Sequence, residues 1–369
     1  MKKRFLRNAE WKILICSLML LIIGLVSLFS ATGENNFSEF KKQIIWFLIS
    51  IPIVIIVMLI DYNTIAKFSY VFYVIFIILL IGVLFTEPVN GATSWFEITE
   101  TLKFQPSELA KIFIIIFIAT ILVKIQKDSK NEINKIHKLL LVLGIIGLPI
   151  LLIIFQPDYG TAMAFVVSAC FMLFVAGINK KYIIMAILVI IITLPLVYIF
   201  ILPEHAKSRI EVFLNPETDP RGAGYNIIQS KLAIGAGKLL GMGILKGNQT
   251  QLGYLYPKTT DFIFSVIGEE LGFICAATVI ILYVVMITKS IYVAKTAKND
   301  LGSYIAIGIA GIFFFHMLEN IGMTMGLLPI TGVPLPFVSY GGSSMITNFM
   351  CIAMLLNISG RRQKTIFIN

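Results

Sequence analysis

The sequence predicts an all-α integral membrane protein with about ten transmembrane helices. Three observations carry this. Hydrophobic residues make up 58% of the 369 positions and charged residues only 14%, and the mean hydropathy is +0.90. The apolar residues fall into repeated runs of about 20, the length that crosses a hydrocarbon core as a helix. These runs are continuously apolar and do not alternate, which selects helices over a closed barrel; only those two structures satisfy a backbone in lipid.

In order, the runs cover about 11–31, 43–61, 66–86, 106–124, 138–156, 161–178, 182–202, 262–288, 303–327 and 340–358. The first follows Lys2, Lys3, Arg4 and Arg7 and is too long for a secretory h-region, so it reads as an uncleaved anchor. Pro106 and Ser107 suit the start of the fourth run. A tight turn, Gln156 to Thr161, separates the fifth from the sixth, and Asp158 suits either a cap or a ligand contact there. Between the seventh and eighth runs lies the polar stretch 203–261. Its first part, 203–220, is rich in turns. From Tyr225 to Leu245, Ile227, Ile228, Leu232, Ile234, Leu239 and Leu240 recur among small and basic residues, as in a helix at a membrane surface. Before the tenth run, Leu327 to Ser344 holds three prolines with paired glycines and serines. That composition implies a rigid re-entrant segment, tolerated only where protein or a wet cavity covers it. The chain therefore reads as a single polytopic domain, 1–369, with 203–261 a large extracytoplasmic loop containing an interfacial helix.

The formal charge of +10 is unevenly placed. Basic residues cluster at the N-terminus, at Lys124–Lys138, at Lys180 and Lys181, at Lys289–Lys298 and at Arg361–Lys364. With ten spans, all these clusters fall on one side, and the positive-inside rule puts both termini in the cytoplasm. The charge then reports topology and contact with anionic membrane lipids, not nucleic acid. Cys16, Cys170, Cys275 and Cys351 lie inside apolar runs without CxxC spacing, and the three histidines are scattered. Neither a disulfide framework nor a zinc cage is expected.

The chemistry concentrates at Thr259–Phe273. Asp261 sits where the eighth run meets water, and Glu269 and Glu270 lie about 12 Å deeper along the helix. Ionisable groups at membrane depth are functional candidates by default. Glu108 and Lys111 are spaced to share a helix face, as an ordinary pair or as a functional lysine. Phe104–Lys111, Gln156–Thr161, the stretch ending at Asp261, and the loop carrying Ser339 and Tyr340 all fall on the outer side and are expected to share one pocket. Glu269 and Glu270 are assigned to polar pairing, with Lys111 or His316 as partners.

Together these segments resemble the SEDS family (shape, elongation, division and sporulation), the bacterial polytopic peptidoglycan polymerases. The resemblance rests on Phe104–Lys111, Gln156–Thr161, Arg209–Tyr225, Gln229–Gly243, Thr260–Phe273 and Asn320–Asn348. Gly247-Asn248-Gln249-Thr250 resembles the Gly-Thr-Gln-Thr of the elongation branch; the division and sporulation branches are the alternatives. Pro257-Lys258-Thr259-Thr260-Asp261 departs from the more usual Pro-Glu-x-Thr-Asp, placing a base where the family often has an acid. The resemblance implies a glycosyltransferase that polymerises lipid II into glycan strands at the outer face of the bacterial cytoplasmic membrane. It maps the catalytic aspartate onto Asp261, makes undecaprenyl-pyrophosphate-linked glycan the growing strand, and implies a class B penicillin-binding protein, a transpeptidase, as partner.

In that reaction a sugar hydroxyl attacks an anomeric carbon while a lipid pyrophosphate leaves. A carboxylate that takes the hydroxyl proton is the general base expected of Asp261. Cations aimed at the leaving group stabilise its charge; the candidates are Lys111, Arg209, Arg221 and Lys258. Glu108, Asp158, Ser339 and Tyr340 complete the expected substrate-binding set. A magnesium or manganese ion held by oxygen ligands is the candidate cofactor. A lipid II flippase is the competing class. It would show paired broken helices in two related halves, whereas here the polar motifs gather on one side. A passive scaffold would need no aspartate at 261. The small residues Gly302, Ser303, Ala306, Gly308, Ala310 and Gly311 suit either the partner's helix or packing within the chain itself, and the partner's outer domain would rest on 203–261.

Overall fold

The computed structural model describes residues 5, 7–33, 36–88, 92–99, 102–200, 204–215 and 223–362. Each of the ten apolar runs forms a helix. They are α1 (Trp11–Ala31), α2 (Ser38–Leu59), then, after the short α3 (Tyr62–Lys67), α4 (Ser69–Gly82), α5 (Pro106–Ile125), α6 (Ile136–Phe155), α7 (Tyr159–Val175) and α8 (Lys180–Phe200). The segment between the seventh and eighth runs holds α9 (Glu204–Leu214), α10 (Ala223–Ala236) and α11 (Asn248–Gln251). The eighth run comprises α12 (Ile263–Val266), a π-helical turn (Ile267–Leu271) and α13 (Gly272–Lys295); α14 (Asp300–Thr324) and α15 (Gly342–Gly360) complete the bundle.

Seven of these helices are long and apolar enough to cross a membrane, the eighth run counting as one from Ile263 to Lys295. The other three differ for physical reasons. Ser69–Phe85 and Tyr159–Val175 are apolar but shorter. α5 has 20 residues but carries Glu108, Lys111 and Lys124. A two-stranded antiparallel hairpin, Phe96–Thr99 with Leu102–Phe104, delivers the chain to α5.

α14 forms the centre. Ile305, Ala306, Ile309, Ala310 and Phe313 on it are fully buried. Its small residues admit neighbours closely: Gly308 lies against Ile115 and Met172, and Gly311 against Ser168 and Phe171. The stripe suited to a partner helix or to internal packing is therefore occupied by α5 and α7, because close backbone packing serves the protein's own core. Outer helices present apolar side chains outward, such as Ile55, Val74, Leu151 and Ile191.

Ion pairs gather the basic loops at one end. Glu10 reaches Lys289 at 3.4 Å and Arg362 at 3.7 Å, Arg361 Nε meets Asp61 at 3.0 Å, and Lys130 meets Asp300 at 3.7 Å. The exposed Lys130–Asp300 pair contributes only about 0–1 kcal/mol, while Glu10 and Arg362 are more enclosed; together they mark one end of the bundle.

At the other end, α10 is set into the bundle by one face. Ile227 and Ala233 are buried, and Ser230 Oγ lies 2.6 Å from both the Thr324 carbonyl and Ser265 Oγ. The π turn leaves carbonyls available sideways. Those of Glu269 and Glu270 accept hydrogen bonds from Met242 N at 2.9 Å and Gly243 N at 3.0 Å. Gly237 makes this contact possible, since a Cβ there would lie 1.8 Å from the Gly268 carbonyl oxygen. Gly237→Ala should destabilise by about 1–3 kcal/mol, the usual cost of overpacking. Gly235→Ala, where nothing lies within 4 Å, should not. Thermal unfolding of the two variants side by side checks this.

Candidate active site

Asp261 ends a turn, 257–262, closed by Phe262 N donating to the Pro257 carbonyl at 3.2 Å. Three successive carbonyls of this turn are bound by other elements. Tyr340 N donates to Thr259 O at 2.9 Å, Ser339 Oγ to Thr260 O at 2.7 Å, and Asn320 Nδ2 to Asp261 O at 3.0 Å. The backbone is thereby held while the side chain stays partly exposed. A Cβ on Gly332 would stand 3.5 Å from Asp261 Oδ2, so the carboxylate lies beside the Gly332 turn.

The re-entrant segment supplying Ser339 and Tyr340 has irregular backbone, and side chains from several helices satisfy it. Gln43 on α2 donates to Ser339 O at 2.9 Å and accepts from Gly341 N at 3.2 Å. Asn320 also donates to Val333 O at 2.8 Å. His316 Nδ1 lies 2.9 Å from Pro334 O, Tyr283 OH donates to Pro336 O, and Ser339 Oγ accepts from Leu335 N at 2.8 Å. This is how polar backbone survives among membrane helices: these carbonyls and N–H groups face protein partners. Sequence reasoning missed Gln43 and Tyr283. Their signal, a polar group within an apolar run, is present but does not name a partner.

Lys111 is 1% exposed. Its ammonium lies 2.7 Å from Glu108 Oε1 and 3.1 Å from His316 Nε2. Because His316 Nδ1 faces a carbonyl, it carries the proton, and Nε2 accepts from the lysine. The pair is thus tied through His316 to the re-entrant segment. Asp158 caps α7, accepting from Thr161 N at 3.1 Å, and accepts from Gln105 Nε2 at 3.0 Å. Burial pushes its carboxyl above the ordinary aspartate range, against the bonds from Thr161; nearby Glu108 raises it further and Lys111 lowers it. Gly160 presses on Val333 and Thr331, and Gln105 N donates to Ser343 Oγ at 3.3 Å. Phe104–Lys111, Gln156–Thr161, the Asp261 turn and the re-entrant segment therefore meet at one end of the bundle.

The remaining residues lie differently. Lys258 Nζ donates to Thr250 O at 2.8 Å. Arg209 lies on α9, with its side chain outside the described residues, and Arg221 lies outside them altogether. Glu269 and Glu270 do pair, but not with Lys111 or His316. Glu269 accepts from Gln249 N at 2.7 Å, Thr250 N at 3.0 Å and Thr250 Oγ1 at 2.6 Å. Glu270 accepts from Gln251 Nε2 at 2.9 Å and Gly247 N at 3.3 Å. The π turn directs both carboxylates at the 247–251 segment, whose backbone N–H groups at the start of α11 have no partner within the helix.

Comparison with known proteins places this geometry. The family model described as "Cell cycle protein", which spans FtsW, RodA and SpoVE, matches residues 10–364. The chain is 35% identical over 351 residues to the peptidoglycan glycosyltransferase MrdB of Escherichia coli K12, covering 95% of this chain and 93% of the relative. It is also 35% identical over 357 residues to stage V sporulation protein E of Bacillus subtilis, covering 94% and 96%. A chain from a solved structure described as "Structural coordination of polymerization and crosslinking by a peptidoglycan synthase complex" superposes with a TM-score of 0.82 at 24% identity, over 95% of this chain and 97% of that one.

Proposed function

This chain belongs to the FtsW/RodA/SpoVE family, and on that premise we propose how it works as a peptidoglycan glycosyltransferase. It polymerises lipid II at the outer face of the bacterial cytoplasmic membrane during cell elongation, with both termini in the cytoplasm. Asp261 is the general base. The observation that carries this is the turn itself: three carbonyls in a row are bound from α14 and the re-entrant segment, while the carboxylate stays partly exposed beside Gly332. A base must be fixed and reachable together.

The acceptor hydroxyl of one sugar loses its proton to Asp261 as its oxygen bonds to the anomeric carbon of the other. The pyrophosphate departs with the bonding electrons. Arg209 and Arg221, on the outer segment, are the cations proposed to meet it. Lys111 is too deeply buried and too fully paired to serve. Ser339, Tyr340 and Asp158 act through the walls they fix. No group of three or more His, Cys, Asp or Glu side chains is gathered as a metal cage among the described residues. The proposed magnesium or manganese ion would be held mainly by the substrate phosphates, since Asp261 is kept for the acceptor proton. When bound, such an ion would neutralise charge on the leaving group. The proposed partner is a class B penicillin-binding protein.

The test is polymerisation of fluorescent lipid II by the purified chain, alone and with the transpeptidase. Strands longer than the substrate are expected. Transfer of lipid II across vesicle membranes without strand growth would favour a flippase and overturn the reading.

A further inference from the structure

We infer that Glu269, Thr250 and Lys258 form a tie that positions the loop carrying Asp261, and that Lys258 serves the reaction through this tie rather than as a contact for the substrate's pyrophosphate. The inference rests on the reading of Asp261 as the base.

The tie begins in the core. Glu269 is fully buried, and its two oxygens accept three hydrogen bonds from Gln249 and Thr250. Gly247 closes the approach, since a Cβ there would lie 2.6 Å from Glu269 Oε2. Thr250 is thus held by its N–H and its hydroxyl, which leaves its carbonyl to accept from Lys258 Nζ at 2.8 Å. Lys258 stands three residues before Asp261.

Little apolar burial holds the loop between, apart from Leu255, and Tyr254 N donates to Gln249 O at 3.1 Å. Leu252, Tyr254 and Tyr256 are 64%, 46% and 73% exposed, and Leu255 alone among 252–256 is buried. Apolar burial, the usual anchor of a loop, is mostly absent. Position 258 also demands a donor, because it faces a carbonyl oxygen. A glutamate there, as in the resembled pattern Pro-Glu-x-Thr-Asp, has no proton to give at neutral pH. The basic residue that looked like a departure from the pattern is what the Thr250 carbonyl selects.

The experiment uses the full chain with lipid II, comparing Lys258→Met, Lys258→Arg, Glu269→Gln and Asp261→Asn. Hydrogen exchange over 247–260 and steady-state kinetics are read on the same preparations. Lys258→Met should raise exchange over 251–258 and lower kcat by about tenfold with KM nearly unchanged, the pattern of a lost positioning contact. Lys258→Arg keeps a donor and should restore both. Glu269→Gln should raise exchange from the other end of the tie; if it does not fold, the partly exposed Lys258 decides the matter alone. A raised KM at constant kcat in Lys258→Met would show a direct substrate contact and overturn the inference. So would unchanged exchange in that variant. Exchange does not depend on catalysis, so full activity in Asp261→Asn would reject the base while the exchange result still decided the tie.

Discussion

Asp261→Asn lowers glycan polymerisation by at least about a hundredfold, the lower bound for losing a general base, while folding is retained. The structure says why the two effects separate. Asn320, Ser339 and Tyr340 grip backbone carbonyls of residues 259–261, and a backbone carbonyl survives any side-chain change. Asparagine keeps the size of aspartate and takes up no proton from a hydroxyl near neutral pH. Strand length and initial rate from labelled lipid II measure the loss, with the thermal midpoint as the control for folding. Normal rate and length in the Asn variant would remove Asp261 from the mechanism.

Lys111→Met should act on stability instead. Removing the ammonium leaves Glu108 buried at 2% exposure with no cation, and takes away the donor that His316 accepts from. Breaking a buried pair from one side costs about 3–5 kcal/mol. The thermal midpoint should fall steeply, while lipid II affinity of the folded fraction is unchanged. Glu108→Gln combined with Lys111→Met should recover part of the loss, since the stranded charge is then gone. A weakened affinity at an unaltered midpoint would return Lys111 to the substrate site.

Much of the fold was legible because a bilayer imposes one strong rule. Twenty apolar residues in a row can be little else than a helix, and all ten runs are helices. The ends were less legible: α4 and α7 stop short of the predicted spans, since hydropathy does not mark a last turn. Asp261 was legible because a carboxylate at the start of an apolar run is costly without a use. The partners of Glu269 and Glu270 were not. A π turn changes the direction of side chains without changing hydropathy, so two acids flanked by Gly268 and Gly272 read only as buried and in need of partners. Lys111 shows the other limit. Its spacing from Glu108 was visible, but His316 is 205 residues away, and no local pattern brings it there. The small-residue stripe on α14 could be read either way, because packing between helices of one chain looks the same in sequence as packing between chains.

The bonds from Gln43, Tyr283, His316 and Asn320 to residues 333–341 have a mechanical consequence. They anchor the re-entrant segment to three different helices, so it can shift only as the bundle shifts, and it acts as an anvil for the Asp261 turn, which it holds through Ser339 and Tyr340. The neighbouring side chains of Leu252, Tyr254 and Tyr256 are exposed, so any give beside the proposed base is expected in that loop and not in the anvil.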